Sequence, residues 1–536
     1  MTRVDKKILL ASLALLAVLY GATESALYAD SVPYAVDILN GRLIDPGHLL
    51  WRPLGMAIAS ASGHAMSLSY ILWVLQYLSL LSALGAVGIL YLAGRRLFPP
   101  DISMLVAVAA GLTNGFWTHA FSGYSYTLSV LFLVLALYCV LRDSGADGPT
   151  ARDSFLAGVC GGLAACSWTV AAISGPALWV LVIHAGGRTR STQAALRRTA
   201  LLSAGYALSF LLPLFVLYAI PDSIGEAAYV TPGPTGLKFL SWLHSADHGI
   251  AAGADLSHLL RFVAGWAQSM VSIGDLGQRL RLWSYREAPF PATGGFATLV
   301  LFYLGVALAT LTLLRSFRFL DASRRTVILA ALVACACNFA FGFLWEGADL
   351  ERYLPSLPFQ ALAFGLVVER WRTSWRRVAL PASAFVVTAA VGLTWITHFR
   401  AVLRADSQRQ TWNRALAAQF TASDLVIVMG NGKFYVGEPH NPNFPMVENV
   451  SQDIRDFADG WRSAIAEAIA TTRQRGGRVL LADSVLRRDH APRDGWSFSQ
   501  YPSPSPEEIA DYFLPLKSDQ LIVTIFGEKL WLGHSE

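Results

Sequence analysis

A chain of 536 residues with 54% hydrophobic and only 15% charged positions, and a mean hydropathy of +0.44, does not have the composition of a soluble globular protein. The net charge of +5 comes largely from arginines gathered in short loops between apolar runs, a pattern that orients a membrane protein and leaves no nucleic-acid footprint. All five cysteines, Cys139, Cys160, Cys166, Cys335 and Cys337, fall inside apolar runs, so neither a disulfide framework nor a zinc site is expected. The chain reads as a polytopic α-helical protein of the inner (plasma) membrane, surrounded by membrane lipids.

The N-terminus, MTRVDKK, is basic, and the run Ile8 to Leu27 is long enough to span a bilayer, which predicts a cytoplasmic start. No small-residue pair of the A-x-A kind follows the run, so an uncleaved first span is expected rather than a signal peptide.

A polar interruption follows from Tyr28 to Gly55, carrying Asp30, Asp37, Asp45, His48 and Arg52 between two apolar segments. Charged groups are expensive near lipid, so this stretch is the first candidate for a site. Asp30 and Ser31 can cap a short helix with Pro33 in its first turn, and Gly41 is expected to stop it. Pro46-Gly47 then turns the chain and presents His48 and Arg52.

The next spans are predicted at Ser69 to Leu92, Ile102 to Trp117 and Tyr126 to Leu141. Phe155 to His184 is too long for one pass and short for two, yet both flanks are Arg-rich, so two short or re-entrant passes are expected. Leu201 to Ile220 leads outward to an external segment, residues 221–295, that is too long to be structureless. It holds an amphipathic stretch, His258 to Met270, and the cluster Arg279, Arg281 and Arg286. An interfacial helix with solvated charges and a direct substrate contact are both open there. Four more spans follow, at Phe296 to Leu314, Val327 to Trp345, Leu357 to Val368 and Val378 to Ile396. The total is about eleven, with every Arg-rich short loop on one side.

Two domains are therefore expected: a transmembrane part over residues 1–397, with external loops 28–55 and 221–295, and a soluble extracytoplasmic α/β domain over residues 398–536. In the latter, Asp424 to Met429, Arg478 to Ala482 and Gln520 to Phe526 read as strands and Asp456 to Arg475 as a helix. GNGKF at Gly430 to Phe434 is not a phosphate-binding loop, because the glycine spacing is wrong and no Ser or Thr follows the lysine.

Three external loops hold polar residues that apolar economy does not explain: Asp30 to Arg52, His119 to Tyr126, and Glu346 to Tyr353. In the last, Glu346, Asp349, Glu351, Arg352 and Tyr353 crowd the junction of two spans. For Arg352, membrane-surface anchoring and phosphate binding are both open. A carboxylate in one loop with Arg or His in the others is what glycosyl transfer from a lipid phosphate needs. The acid takes a proton from an acceptor hydroxyl, and a guanidinium stabilises the departing phosphate.

These residues also resemble a family. Asp30, Ser31, Pro46 and Gly47 match an acid-serine pair followed by a Pro-Gly turn; Phe116, Trp117 and Ala120 match FW-x-x-A; Arg352 and Tyr353 match an Arg-Tyr pair ahead of a late span. The pattern is similar to the GT-C superfamily of polyprenyl-phosphate-sugar glycosyltransferases, in the bacterial branch related to protein O-mannosyltransferases. The resemblance implies an inverting transferase with a polyprenyl-phosphate sugar donor and a glycan, lipid or protein acceptor, and with no cofactor or metal. Asp30 would be the base and Arg352 a ligand of the donor phosphate, with Arg52 and His48 as further candidates for that role. Asp37, His119, Tyr124, Glu346, Asp349 and Tyr353 would bind substrate. This chain departs from its relatives in having Tyr124 where an acid is common and Trp168 near a usual histidine. A transporter or lipid flippase would share the span count but should carry ionisable groups inside the spans, whereas here the acids lie in loops. A non-catalytic cell-envelope assembly protein is the other alternative.

The predicted topology is testable directly. Single cysteines introduced at Ser191 and Ser451 should label oppositely with a membrane-impermeant thiol reagent, Ser451 alone reacting from outside; equal labelling would overturn the shared external face.

Overall fold

The computed structural model describes residues 2–23, 31–39, 41, 43–45, 47–142, 148–184, 192–219, 256–279, 292–344, 347–375, 377–400, 403, 420–429, 446–450, 460–488, 504–525 and 528–534. They fall into two compact units, the first drawn from Met1–Ile224 and Ala254–Ala405 and the second from Asp406–Glu536.

The first unit is helical throughout. Helix α1 (Arg3–Ala22) opens on a reciprocal cap: Thr2 Oγ1 accepts from the Asp5 N–H and the Asp5 carboxylate accepts from the Thr2 N–H. That cap draws Asp5, Lys6 and Lys7 into the helix, so it starts ahead of the predicted Ile8. Helix α2 (Ser31–Leu39) matches its prediction and is followed by Gly41 at φ +75°, a backbone that favours glycine. Helices α3 (Trp51–Ala61) and α4 (Leu68–Gly94) come next.

The predicted span Ile102 to Trp117 is not continuous: it divides into α5 (Pro100–Gly111) and α6 (Asn114–Ala120). The Gly111 carbonyl, which a continuous helix would give to the N–H of residue 115, accepts instead from Tyr20 Oη at 2.7 Å. The Asn114 amide turns away to the Gln268 carbonyl at 2.7 Å. Helix α7 (Tyr126–Arg142) follows its prediction.

Phe155 to His184 resolves into α8 (Ala151–Ser167), a 3₁₀ turn (Thr169–Ser174) and α9 (Gly175–His184), broken at the extended Trp168. Helix α8 crosses α10 (Thr192–Tyr206) backbone against backbone. A Cβ on Gly158 would lie 2.0 Å from the Leu202 carbonyl oxygen, and one on Gly205 2.4 Å from that of Phe155. Glycine at such crossings lets apolar helices approach closely in lipid. A π-helical turn, Ala207–Leu211, leads into α11 (Leu212–Ala219).

The long segment predicted to be external contains α12 (Leu256–Met270), as its amphipathic pattern predicts, and the short α13 (Asp275–Arg279). Arg281 and Arg286 lie outside the described residues. Helices α14 (Ala292–Ser316), α15 (Ala322–Leu344), α16 (Leu357–Ser374) and α17 (Ala379–Thr394) complete the unit, with a 3₁₀ segment (Leu350–Ser356) ahead of α16 and a π turn (Trp395–Phe399) after α17. Leu301, Leu304, Leu308 and Leu314 on α14 are exposed, as a lipid-facing helix requires.

Among the described residues, five helical stretches are long and apolar enough to cross a membrane, and three shorter apolar ones accompany them. The chain is therefore a mostly helical, membrane-type protein with several apolar helices. Its Arg-rich loops are bonded to one another: Arg324 reaches Glu369 at 2.8 Å and the Leu97 carbonyl at 3.1 Å, and Arg372 pairs with Asp101 at 2.6 Å.

The second unit is a small mixed sheet. Strands β1 (Leu425–Val428), β2 (Met446–Asn449) and β3 (Val479–Ala482) run parallel, and the hairpin β4 (Lys517–Ile525) and β5 (Glu528–Gly533) completes the order β2-β1-β3-β5-β4. Helix α18 (Trp461–Gln474) buries Trp461, Ile465 and Ile469 against Leu425, Ile427 and Leu481. Two corrections follow. Edge strand β2 is absent from the prediction, and Gln520 to Phe526 is not the last strand, because β5 returns between β3 and β4 and buries Leu530 against Leu480. Gly430 to Phe434 lies outside the described residues.

Candidate active site

The site grows from the turn after α2. Asp45 shapes it: its Oδ1 accepts from the Gly47 N–H at 2.8 Å, and its carbonyl accepts from the His48 N–H at 2.9 Å. Its Oδ2 then lies 3.2 Å from His48 Nδ1 and 3.4 Å from Arg52 Nη2. Arg52, in the first turn of α3, also reaches back to Asp37 on α2 at 2.7 Å, and its guanidinium lies over the Tyr34 ring. One cation thus fastens both sides of the turn. Burial opposes the Asp45 charge, but His48, Arg52 and the Gly47 N–H outweigh it and hold the carboxyl well below the usual carboxylate range.

This turn is stitched to two other parts of the bundle. The Gly47 carbonyl accepts from the Thr169 N–H at 2.9 Å, and the Leu50 N–H donates to Cys166 at 2.9 Å, so the break between α8 and α9 supports it from below. Fully buried Trp51 donates its indole N–H to the Gly123 carbonyl at 3.1 Å, and Ser31 Oγ donates to the Ser122 carbonyl. The second predicted loop is thereby held against the first.

An aromatic chain continues from there. Tyr124 and Tyr126 stack at 4.9 Å between centroids; His119 meets Tyr126 edge-on at 4.7 Å and Tyr124 at 5.4 Å; Tyr126 also contacts Trp168 at 4.6 Å and His48 at 6.0 Å. Burial first, and neighbouring His398 second, push His119 down to about 3, so its imidazole is neutral at physiological pH. Its Nε2 lies 3.9 Å from Glu351 Oε2, which joins the third predicted loop.

There Arg352 Nη2 bonds Asp349 Oδ2 at 3.0 Å. Burial opposes the guanidinium's charge, but Asp349, Glu351 and Tyr126 more than offset this and raise its affinity for the proton. Its Nε is buried with no hydrogen-bond partner among the described residues. Fully buried Tyr353 turns away from the cluster, its hydroxyl 2.8 Å from the Gly347 carbonyl and 3.1 Å from that of Phe262.

Side-chain contacts therefore bring Asp37, His48, Arg52, His119 and Tyr124 together and reach Glu351, whose chain neighbour Arg352 pairs with Asp349, while Tyr353 ties the Arg352 segment to α12. Asp30 and Glu346 lie outside the described residues. The prediction missed Tyr34, Tyr126 and Trp168 as members. Tyr124 and Tyr126 are two apart in an extended stretch, which puts both rings on one side, so that pair was visible in the sequence. Trp168 was not, because nothing local shows that α8 breaks beside Tyr126.

No protein-family model matches the chain, and no curated protein sequence matches it. Solved structures do. The chain is structurally similar over nearly its full length to glycosyltransferases of the GT-C kind, the class its motifs resemble. ArnT from Cupriavidus metallidurans bound to undecaprenyl phosphate aligns with a TM-score of 0.55 at 11% identity, covering 99% of this chain and 98% of that one. The apo state of the same protein gives 0.55 at 12% identity with the same coverage. The apo oligosaccharyltransferase of Archaeoglobus fulgidus aligns at 0.48 with 14% identity, over 90% of this chain and 70% of that one. The fold is thus ArnT-like.

Arg52 carries a stability prediction. Asp37 and Asp45 have side chains 15% and 19% exposed, and Arg52→Met would remove the guanidinium they share. The loss should be about 3–5 kcal/mol, the cost of breaking a buried pair from one side. Arg52 is one of the groups that hold the Asp45 carboxyl down, so without it that carboxyl is less depressed and the variant should lose less stability than the parent as pH falls below about 4. Thermal melting across that range checks both; a melting curve unchanged by Arg52→Met would show that this cation does not clamp the turn.

Proposed function

We propose that this chain is an inverting glycosyltransferase that moves a sugar from a polyprenyl-phosphate donor to an acceptor hydroxyl on the extracytoplasmic face of the membrane. The observation that carries the proposal is Arg352: a largely enclosed guanidinium with one edge on Asp349 and a buried Nε that no described residue engages. An anionic group is what such an edge lacks. The ArnT-like fold supports the same assignment, since ArnT itself was solved with undecaprenyl phosphate.

In the proposed reaction the acceptor oxygen attacks the anomeric carbon as the bond from that carbon to the phosphate oxygen breaks, so the configuration inverts in one displacement. Asp30 receives the acceptor's proton. The bonding pair leaves on the lipid phosphate, and Arg352 meets the charge that develops there. Arg52 and His48 are secondary candidates for the phosphate, because Arg52 is already shared between Asp37 and Asp45. His119, Tyr124, Asp37 and Glu346 would line the sugar and acceptor, whereas Asp349 and Tyr353 would act through Arg352 and its backbone. An apolar groove of about 340 Å³ between α12 and α14, lined by Val263, Leu299, Val300, Tyr303 and Leu304, offers room for part of the lipid chain. The proposal includes a cytoplasmic N-terminus, about eleven crossings and an extracytoplasmic domain from residue 398.

Asp30 is the sharpest test, because Asn caps a helix about as well as Asp but cannot accept the proton. Asp30→Asn should express and melt like the parent while losing roughly a hundredfold or more of transfer from a labelled polyprenyl-phosphate sugar. Asp37→Asn and Asp45→Asn should retain much more. Near-parent transfer by Asp30→Asn with loss in Asp37→Asn would move the base to Asp37; parent-like transfer by all three would remove the base from this loop, and no transfer by the parent itself would overturn the transferase reading.

A further inference from the structure

Asn338 is a polar side chain in an apolar place. It is fully buried on α15, inside the membrane-length stretch Ala322–Phe343. A carboxamide there is costly unless it is bonded, and polar groups within spans commonly serve a site. Both ends are bonded. Its Nδ2 donates to the Arg352 carbonyl at 2.7 Å, and its Oδ1 accepts from Ser356 Oγ at 2.8 Å. Ser356 Oγ accepts from Gln360 Nε2 at 2.7 Å, and Gln360 Oε1 accepts from the Trp266 indole at 3.3 Å.

The backbone explains why a donor is needed at that carbonyl. Arg352 lies in the 3₁₀ segment Leu350–Ser356, a geometry that matches a carbonyl to the N–H three residues on. Three residues after Arg352 stands Pro355, which has no N–H. We infer that Asn338 is a positioning residue: its amide stands in for the missing backbone donor and fixes the orientation of the Arg352 backbone, and with it the aim of the guanidinium. Ser356, Gln360 and Trp266 extend the same hydrogen-bonded path to α12. The inference rests on the proposal that Arg352 binds the donor phosphate, since the direction of a planar fork matters only toward a ligand that reads it.

The test uses the full chain in detergent, with undecaprenyl phosphate as the probe, and measures its Kd beside the melting temperature. Asn338→Leu should weaken binding about tenfold, the loss of one or two net hydrogen bonds at a charged ligand's holder. Ser356→Ala should weaken it less, and Ser356→Thr, which keeps the hydroxyl, should bind like the parent; that pair serves if Asn338→Leu does not fold. In an Arg352→Lys background Asn338→Leu should cause no further loss, because the fork it orients is gone. Losses that multiply in the double variant, or equal losses in Ser356→Ala and Ser356→Thr, would overturn the role of Asn338 while leaving Arg352 in place. Parent-like binding by Arg352→Lys alone would instead overturn the phosphate assignment, and the positioning role with it.

Discussion

An arginine that is only 8% exposed has to be neutralised where it lies, and Arg52 meets that requirement with two carboxylates from opposite sides of one turn. Asp37 comes from α2 and Asp45 from the loop, so the ion pairs fix the angle at which the chain enters α3. Trp51, the neighbour of Arg52, is then directed at the Gly123 carbonyl, and the Asp45 turn directs His48 at Tyr34 and Tyr126. The rest of the polar cluster is connected to that turn: the second loop meets it through the Ser31 and Trp51 hydrogen bonds and these rings, and the His119–Glu351 contact leads on to the third.

The cluster is polar at its margins and aromatic in its middle. The rings of Tyr34, Tyr124, Tyr126 and Trp168 form one connected chain, and the two guanidinia lie at different carboxylates, Arg52 at Asp37 and Asp45 and Arg352 at Asp349. Arg52 is shared between Asp37 and Asp45 across the turn, whereas Arg352 pairs with Asp349 and has a buried Nε that no described residue engages. Neutral His119 beside Glu351 adds no competing cation.

Much of this was legible in the sequence because lipid makes the signals strong. Apolar runs marked α4, α7, α14 and α15 within a few residues, and Gly41 stopped α2 as its φ-permissive backbone suggests. The three loops were also identifiable, since charged residues in so apolar a chain need a reason. What stayed hidden depends on contacts distant in sequence. The division of α5 from α6 places the Gly111 carbonyl on Tyr20, the break at Trp168 is supported by the turn at Gly47 and Leu50, and β5 is recognised by its place between β3 and β4. For the same reason Asn338 read as one more residue of a span: its partner is a carbonyl fourteen positions away, left in need of a donor by Pro355.

The central claim is that Arg352 is the residue on which the lipid phosphate rests. The most direct measurement is a cryo-EM structure of the full chain with undecaprenyl phosphate bound. The account predicts a phosphate oxygen at charge-assisted hydrogen-bond distance, about 2.7–2.9 Å, from Arg352 Nε, with the Arg52 pairs to Asp37 and Asp45 intact. A phosphate held elsewhere, with Arg352 Nε still unengaged, would contradict it.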